Sequence, residues 1–162
     1  MSDAIKKVKV LVVDDSAFAR LTISKYLATD PAIEVVGMAR DGLDALEKVK
    51  LLDPDVVTMD VEMPKLDGIG TLERIMAEHP RPVIMLSSIT AEGAEVTIRA
   101  LELGAIDFFL KPSLINPTGA AEVSNDLIDK IKSASSIDVS KLVWQVKKLL
   151  AGTFTLSGLK KL

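Results

Sequence analysis

Lys9-Val10-Leu11-Val12-Val13-Asp14-Asp15-Ser16 changes character abruptly at Asp14. The aliphatic run shows no alternation of polar and apolar positions, the pattern of a short strand buried on both faces, as in a parallel sheet. After it the period changes. Phe18, Leu21, Ile23 and Leu27 fall near helical spacing behind Ser16, a good N-cap, and the stretch stops before Asp30-Pro31. One strand and one helix are thereby defined, with two carboxylates at the junction.

The same alternation continues along the chain. Ile33 to Ala39 reads as a second strand, Gly42 to Leu52 as a helix behind Asp41, and Val56 to Met59 as a third strand stopping at Asp60. A helix is expected from Ile69 to Ala77 before His79-Pro80, and a strand from Pro82 to Leu86 ending at Ser87-Ser88. Ala94 to Leu103 reads as a helix closed by Gly104 as its C-cap, and Ile106 to Leu110 as a last strand before Lys111-Pro112. Strands alternating with helices imply an α/β, doubly wound sheet of five parallel strands with helices on both faces. Val123, Leu127, Ile128 and Ile131 supply the stripe of a fifth helix, and the unit closes near Ala134. The domain expectation is therefore residues 1–134, followed by a linker or tail over 135–162.

That tail carries its own pattern. Ser133-Ala134-Ser135-Ser136 reads as a polar break, after which Val139, Leu142, Val143, Val146, Leu149 and Leu150 recur at helical spacing. An amphipathic helix is expected over about 138–150. Residues 114–162 hold seven Lys or Arg against four Asp or Glu, whereas residues 1–113 hold 13 against 19. The two parts are complementary in charge. Trp144 lies among the apolar tail positions, suited equally to packing or to docking a partner.

Composition excludes several classes of function. The 162 residues carry a net charge of -3, without the clustered Lys and Arg of a nucleic-acid footprint. No direct nucleic-acid contact is expected. There is no cysteine and only one histidine, His79, which removes thiolate chemistry, disulfides and multi-His metal sites. No run approaches the roughly 18 apolar residues of a membrane span, so no membrane association and a cytoplasmic location are expected. Gly68-Ile69-Gly70 lacks the third glycine and preceding strand of a dinucleotide loop, and no Walker sequence occurs.

The polar residues that end the strands carry the chemistry. Ligand sites in open parallel sheets lie at the carboxyl ends of the strands, which sends Asp14, Asp15, Asp60, Ser87 and Lys111 to one edge. Three converging carboxylates repel one another and call for a cation, and hard oxygen donors suit Mg²⁺ (or Mn²⁺) better than zinc. Lys111 adds a fixed positive charge and Ser87 a hydroxyl donor, a holder for phosphoryl oxygens. Carboxylates serve as covalent nucleophiles, and Asp60, on the strand expected to be central, is the best-placed attacker. Singly, each of these residues is most simply a cap, a turn or polar punctuation. Together, in order at the ends of successive strands, they form a constellation.

Val12-Val13-Asp14-Asp15-Ser16, Met59-Asp60-Val61-Glu62-Met63-Pro64-Lys65-Leu66-Asp67-Gly68 and Phe109-Leu110-Lys111-Pro112 resemble the motifs of response-regulator receiver domains, over roughly residues 8 to 133. Leu86-Ser87-Ser88-Ile89-Thr90 and the stretch from Ala100 to Ser113 are most similar to the receiver of the chemotaxis methylesterase CheB. The resemblance implies a flavodoxin-like (CheY-like) sheet of order 2-1-3-4-5. It implies Asp60 as phosphoacceptor, Asp14 and Asp15 as the acidic pair around Mg²⁺, and the backbone carbonyl of Glu62 as the remaining protein ligand. It further implies Ser87 as the hydroxyl that follows the phosphoryl group, Lys111 as the lysine that bridges it, and Phe108 as the aromatic switch. The Lys111–Pro112 bond is expected to be cis by the same resemblance, and an X–Pro bond disfavours cis by only about 0.5–1 kcal/mol.

The function implied is phosphoryl transfer from a histidine kinase of chemotaxis type to Asp60, switching a surface that controls an output domain or effector protein. No G-x-S-x-G nucleophile elbow occurs, so no methylesterase activity is expected of this chain itself; the parent protein would be the protein-glutamate methylesterase. A stand-alone regulator using its last helix as a partner contact is one alternative, and an unphosphorylated interaction module of the same shape another. A phospho-aspartyl phosphatase of haloacid dehalogenase type would instead carry its nucleophile in D-x-D on the first strand.

Overall fold

Ten elements alternate in the computed structural model, which describes residues 6–63, 65–87, 91–110 and 120–137. They are β1 (Val8–Val13), α1 (Ala17–Leu27), β2 (Ile33–Ala39), α2 (Gly42–Leu52), β3 (Val56–Asp60), α3 (Gly68–Glu78), β4 (Val83–Ser87), α4 (Ala91–Glu102), β5 (Asp107–Leu110) and α5 (Ala120–Ser135). The strands form one sheet of order β2-β1-β3-β4-β5, all pairs parallel. This is the doubly wound, CheY-like arrangement expected.

Successive side chains of a strand point to opposite faces, and here both faces are apolar. Leu11, Val13, Val57, Met59, Val83 and Met85 pack with Ala45 and Val49 of α2, Leu72 and Ile75 of α3, and Ala100 of α4. Val10, Val12, Val56, Ile84 and Leu86 pack on the other side with Ala19, Ile23 and Leu27 of α1 and Leu127, Ile128 and Ile131 of α5. That two-sided burial is why the strands read as unbroken apolar runs. Truncating a buried leucine such as Leu11 to Ala in such a layer costs about 2–5 kcal/mol.

Local chemistry sets the ends of the helices. Ser16 Oγ accepts from the Ala19 N–H at 3.2 Å, Asp41 Oδ1 from the Asp44 N–H at 2.8 Å and Asp67 Oδ1 from the Gly70 N–H at 2.8 Å, each satisfying a donor the helix leaves unpaired. Gly104, with φ of 114°, ends α4: its N–H reaches the Leu101 carbonyl while the Ala105 N–H reaches that of Ala100. Those paired bonds are a Schellman closure, and the positive φ explains the glycine.

Several expected boundaries differ. α4 starts at Ala91 rather than Ala94, taking in Gly93, because the weak helix propensity of one glycine does not stop an otherwise suitable run. α3 runs from Gly68 to Glu78 rather than Ile69 to Ala77. The polar break expected at 133–136 is largely helix: α5 continues to Ser135 with Ala134 buried. The Ser135 and Ser136 hydroxyls donate to the Lys132 and Ser133 carbonyls, serving the acceptors that a fraying end would expose. The expected tail helix over 138–150 lies outside the described residues.

Candidate functional site

Strand register decides which polar residues meet. Val13 pairs with Met59, Asp60 with Leu86 and Ser87 with Leu110. The residues that follow or end these strands, Asp14, Asp60 and Ser87, therefore line the same carboxyl edge of the sheet. Lys111 would come next, but Lys111 and the Lys111–Pro112 bond lie outside the described residues.

Asp14, Asp15 and Asp60 converge: one carboxylate oxygen of each lies within 4.8 Å of the others. Asp14 is 0% and Asp60 5% exposed, while Asp15 faces solvent. Asp14 and Asp15 follow β1 and Asp60 ends the neighbouring β3, and local bonds aim Asp14 and Asp60. Asp14 Oδ1 accepts from the Ser16 N–H at 2.9 Å, its N–H donates to the Ala39 carbonyl, and its own carbonyl accepts from Arg20 Nη1 at 2.7 Å. Asp60 Oδ1 lies 3.4 Å from the Glu62 N–H, which would donate to it. Arg20 was not singled out by the sequence reading. It is one helical turn beyond the Ser16 cap on α1, and that spacing was the available signal.

Carboxylates this close repel one another unless a cation intervenes. An all-oxygen donor set, with two members buried and one open to water, is one that a hard divalent ion such as Mg²⁺ fits.

Ser87, the last residue of β4, is 3% exposed. Phe108 on β5 stands outward at 40% exposure, whereas its neighbour Phe109 is 7% exposed and packs on the α1–α5 side. Glu62, whose backbone carbonyl was the expected ligand, lies two residues past Asp60 with an exposed side chain. The loop holding it is anchored at both ends. Its Val61 N–H donates to the Leu86 carbonyl and the Gly68 N–H to the Val61 carbonyl. A Cβ on Gly68 would come within 2.6 Å of the Asp60 carbonyl oxygen, so this position accepts only glycine without displacing the strand end.

Among the described residues no helix is long and apolar enough to cross a membrane.

The comparisons with known proteins agree with this geometry. The family model described as response regulator receiver domain matches residues 10–117. A protein-glutamate methylesterase/protein-glutamine glutaminase of Symbiobacterium thermophilum is 56% identical over 137 residues, covering 84% of this chain and 38% of that one. The crystal structure of the response regulator domain of Thermotoga maritima CheB matches with a TM-score of 0.74 at 47% identity, covering 82% of this chain and 99% of that one. A structure of the P1 domain of CheA3 in complex with CheY6 from R. sphaeroides matches with a TM-score of 0.66 at 30% identity, covering 82% of this chain and 99% of that one. The chain belongs to the response regulator receiver domain family. Within that family it is a receiver domain of a CheB-type response regulator. It spans less than half the length of the curated methylesterase relatives it matches.

Proposed function

We propose that the chain accepts a phosphoryl group on Asp60 from a histidine kinase of a chemotaxis system, and that the modified state releases or activates a CheB-type output. The observation that carries this reading is the convergence of Asp14, Asp15 and Asp60 at the carboxyl edge of the sheet. In the reaction a carboxylate oxygen of Asp60 attacks phosphorus, the donor's phosphoramidate P–N bond breaks with its electrons going to the imidazole, and an acyl phosphate remains on the chain.

Asp14, Asp15, Asp60 and the Glu62 backbone carbonyl would hold Mg²⁺ (or Mn²⁺), which when bound supplies neutralisation of the phosphoryl oxygens. The protein's own part is positional. Asp14 is fixed by Ser16 and Arg20, and Asp60 is kept at the strand end by the ladder to β4. On this reading Lys111 pairs with the phosphoryl oxygens from the end of β5, held in place by a cis Lys111–Pro112 bond. Phosphorylation adds a charge of about -1.5 to -2. The Ser87 hydroxyl moves to donate to the new oxygens, and Phe108 turns from its outward position into the space vacated. The surface around α4, β5 and α5 thus exchanges one population for another.

The same reading takes residues 1–134 as the receiver and 135–162 as a linker or tail, places the protein in the cytoplasm, and assigns methylesterase activity to a domain beyond this chain. Kinship to methylesterases in which the matched part is 38–40% of the length supports that division. The test is transfer from a ³²P-labelled phosphohistidine domain of a chemotaxis kinase. The label is expected to leave the donor for wild-type protein and to remain on it with Asp60→Asn; equal transfer to both would overturn the proposal.

A further inference from the structure

Lys65 and Leu66, in the connection between Asp60 and α3, meet an element that contributes nothing to the acidic cluster. Gly42, the first residue of α2, is buried against Leu66. A Cβ there would stand 2.4 Å from the Leu66 carbonyl oxygen, 2.8 Å from the Leu66 Cβ and 2.1 Å from Thr71 Oγ1. None of the three can yield easily. Leu66 O is backbone, and Thr71, fully buried on α3, donates through Oγ1 to the Asp67 carbonyl at 2.7 Å. The preceding residue joins the same contact from the charged side. Asp41, buried while capping α2, has Oδ2 at 3.8 Å from Lys65 Nζ, and Lys65 holds a φ of 67°, a left-handed conformation rare for a side chain of its kind.

We infer that the Asp41-Gly42 corner is a positioning element for the phosphoacceptor site, a brace that presses on Leu66 and Lys65 and thereby fixes the loop carrying Glu62 at the distance from Asp60 that metal binding requires. The inference rests on the proposed Mg²⁺-dependent phosphorylation of Asp60. Its physical logic is that of an outer support. Gly68 pins the entry of α3 to the strand end through Asp60 and Val61, and Gly42 stops Leu66 from the other side. The ion pair, with an exposed lysine, adds little to stability, and its part is to keep Lys65 in place against Asp41. The close approach at Gly42 is the main constraint. Outer-support substitutions of this sort typically lower metal affinity about 10–100-fold.

The experiment measures Mg²⁺ affinity by calorimetry and the rate of acetyl phosphate labelling on the full chain, for wild type, Gly42→Ala and Lys65→Met. Thermal midpoints without Mg²⁺ serve as the folding control. Gly42→Ala is expected to bind Mg²⁺ about 10-fold more weakly and to label correspondingly more slowly, with the slower labelling recovered at saturating Mg²⁺. Lys65→Met separates positioning from charge. Loss of the Lys65–Asp41 contact should weaken Mg²⁺ binding if the lysine holds the loop, and should leave it unchanged or tighten it if the lysine acts only through its charge. Should Gly42→Ala fail to fold, weaker Mg²⁺ binding by a folded Lys65→Met carries the inference, and unchanged or tighter binding by it overturns the inference. Wild-type labelling with unchanged Mg²⁺ affinity in a folded Gly42→Ala also overturns the brace and leaves the proposed function standing. No Mg²⁺ binding and no labelling in wild type overturns the proposed function itself, and the brace with it.

Discussion

Asp14, closing β1, and Asp60, closing β3, bring carboxylate oxygens within 4.8 Å of each other although both side chains are buried. Neighbouring strands in register make the meeting unavoidable, since Val13 pairs with Met59 one residue earlier. Like charges this close repel, and a divalent cation between them would relieve that repulsion.

Asp60→Asn is accordingly expected to raise the stability of the metal-free protein by roughly 1 kcal/mol. Urea unfolding without Mg²⁺ checks this. Added Mg²⁺ should then raise the wild-type midpoint with concentration, as a ligand of the folded state does, and leave Asp60→Asn nearly unmoved.

Gly68→Ala should destabilise the fold by about 1–3 kcal/mol, because the added methyl meets the Asp60 and Val61 carbonyl oxygens at 2.6 and 2.8 Å. Denaturant unfolding reads the loss. A change below a few tenths of a kcal/mol would mean that the strand end moves aside freely, against the rigid site described above.

At the opposite end of the sheet, Lys132 of α5 reaches Asp30, after α1, at 2.6 Å. The hydrogen bond from Lys132 holds the Asp30 carboxyl below its ordinary value of 3.8, helped by the Ala32 N–H. A depressed carboxyl stabilises the fold above its unfolded pKa and ceases to do so as pH falls through the folded one. Wild type should therefore exceed Asp30→Asn in thermal midpoint at neutral pH, and the gap should close only below about pH 4. A gap that instead closes between pH 6 and 8 would assign the effect to another group.

Ser87→Ala is expected to leave labelling of Asp60 measurable while uncoupling it from Phe108. Ring resonances of Phe108 in an NMR titration with beryllofluoride and Mg²⁺ provide the readout: large shifts in wild type, small ones in the variant. Equal shifts in both would remove Ser87 from the switch.

Much of this was legible in the amino-acid order because burial on both faces leaves little ambiguity. β2 and α2 lie where the apolar runs and the Asp41 cap put them, and Asp14, Asp15, Asp60 and Ser87 fall at strand ends that parallel topology sends to one edge. What local pattern does not carry was missed. Gly93 disguised the first turn of α4, and the serines ending α5 resemble a linker until their hydroxyls are seen bonding back to the helix. The Gly42 contact with Leu66 and Thr71 joins residues far apart in sequence, and Arg20 reaches a backbone carbonyl rather than a charged side chain. Neither leaves a periodic trace.

The central claim is that Asp60 carries the phosphoryl group, and its most direct measurement is intact-mass and peptide-mapping spectrometry after incubation with acetyl phosphate and Mg²⁺. Wild type should gain the mass of one phosphoryl group, mapped to the peptide containing Asp60, and should gain none when EDTA is present. Asp60→Ala should remain unmodified under both conditions. A full yield of modification in Asp60→Ala, located on another residue, would contradict the account.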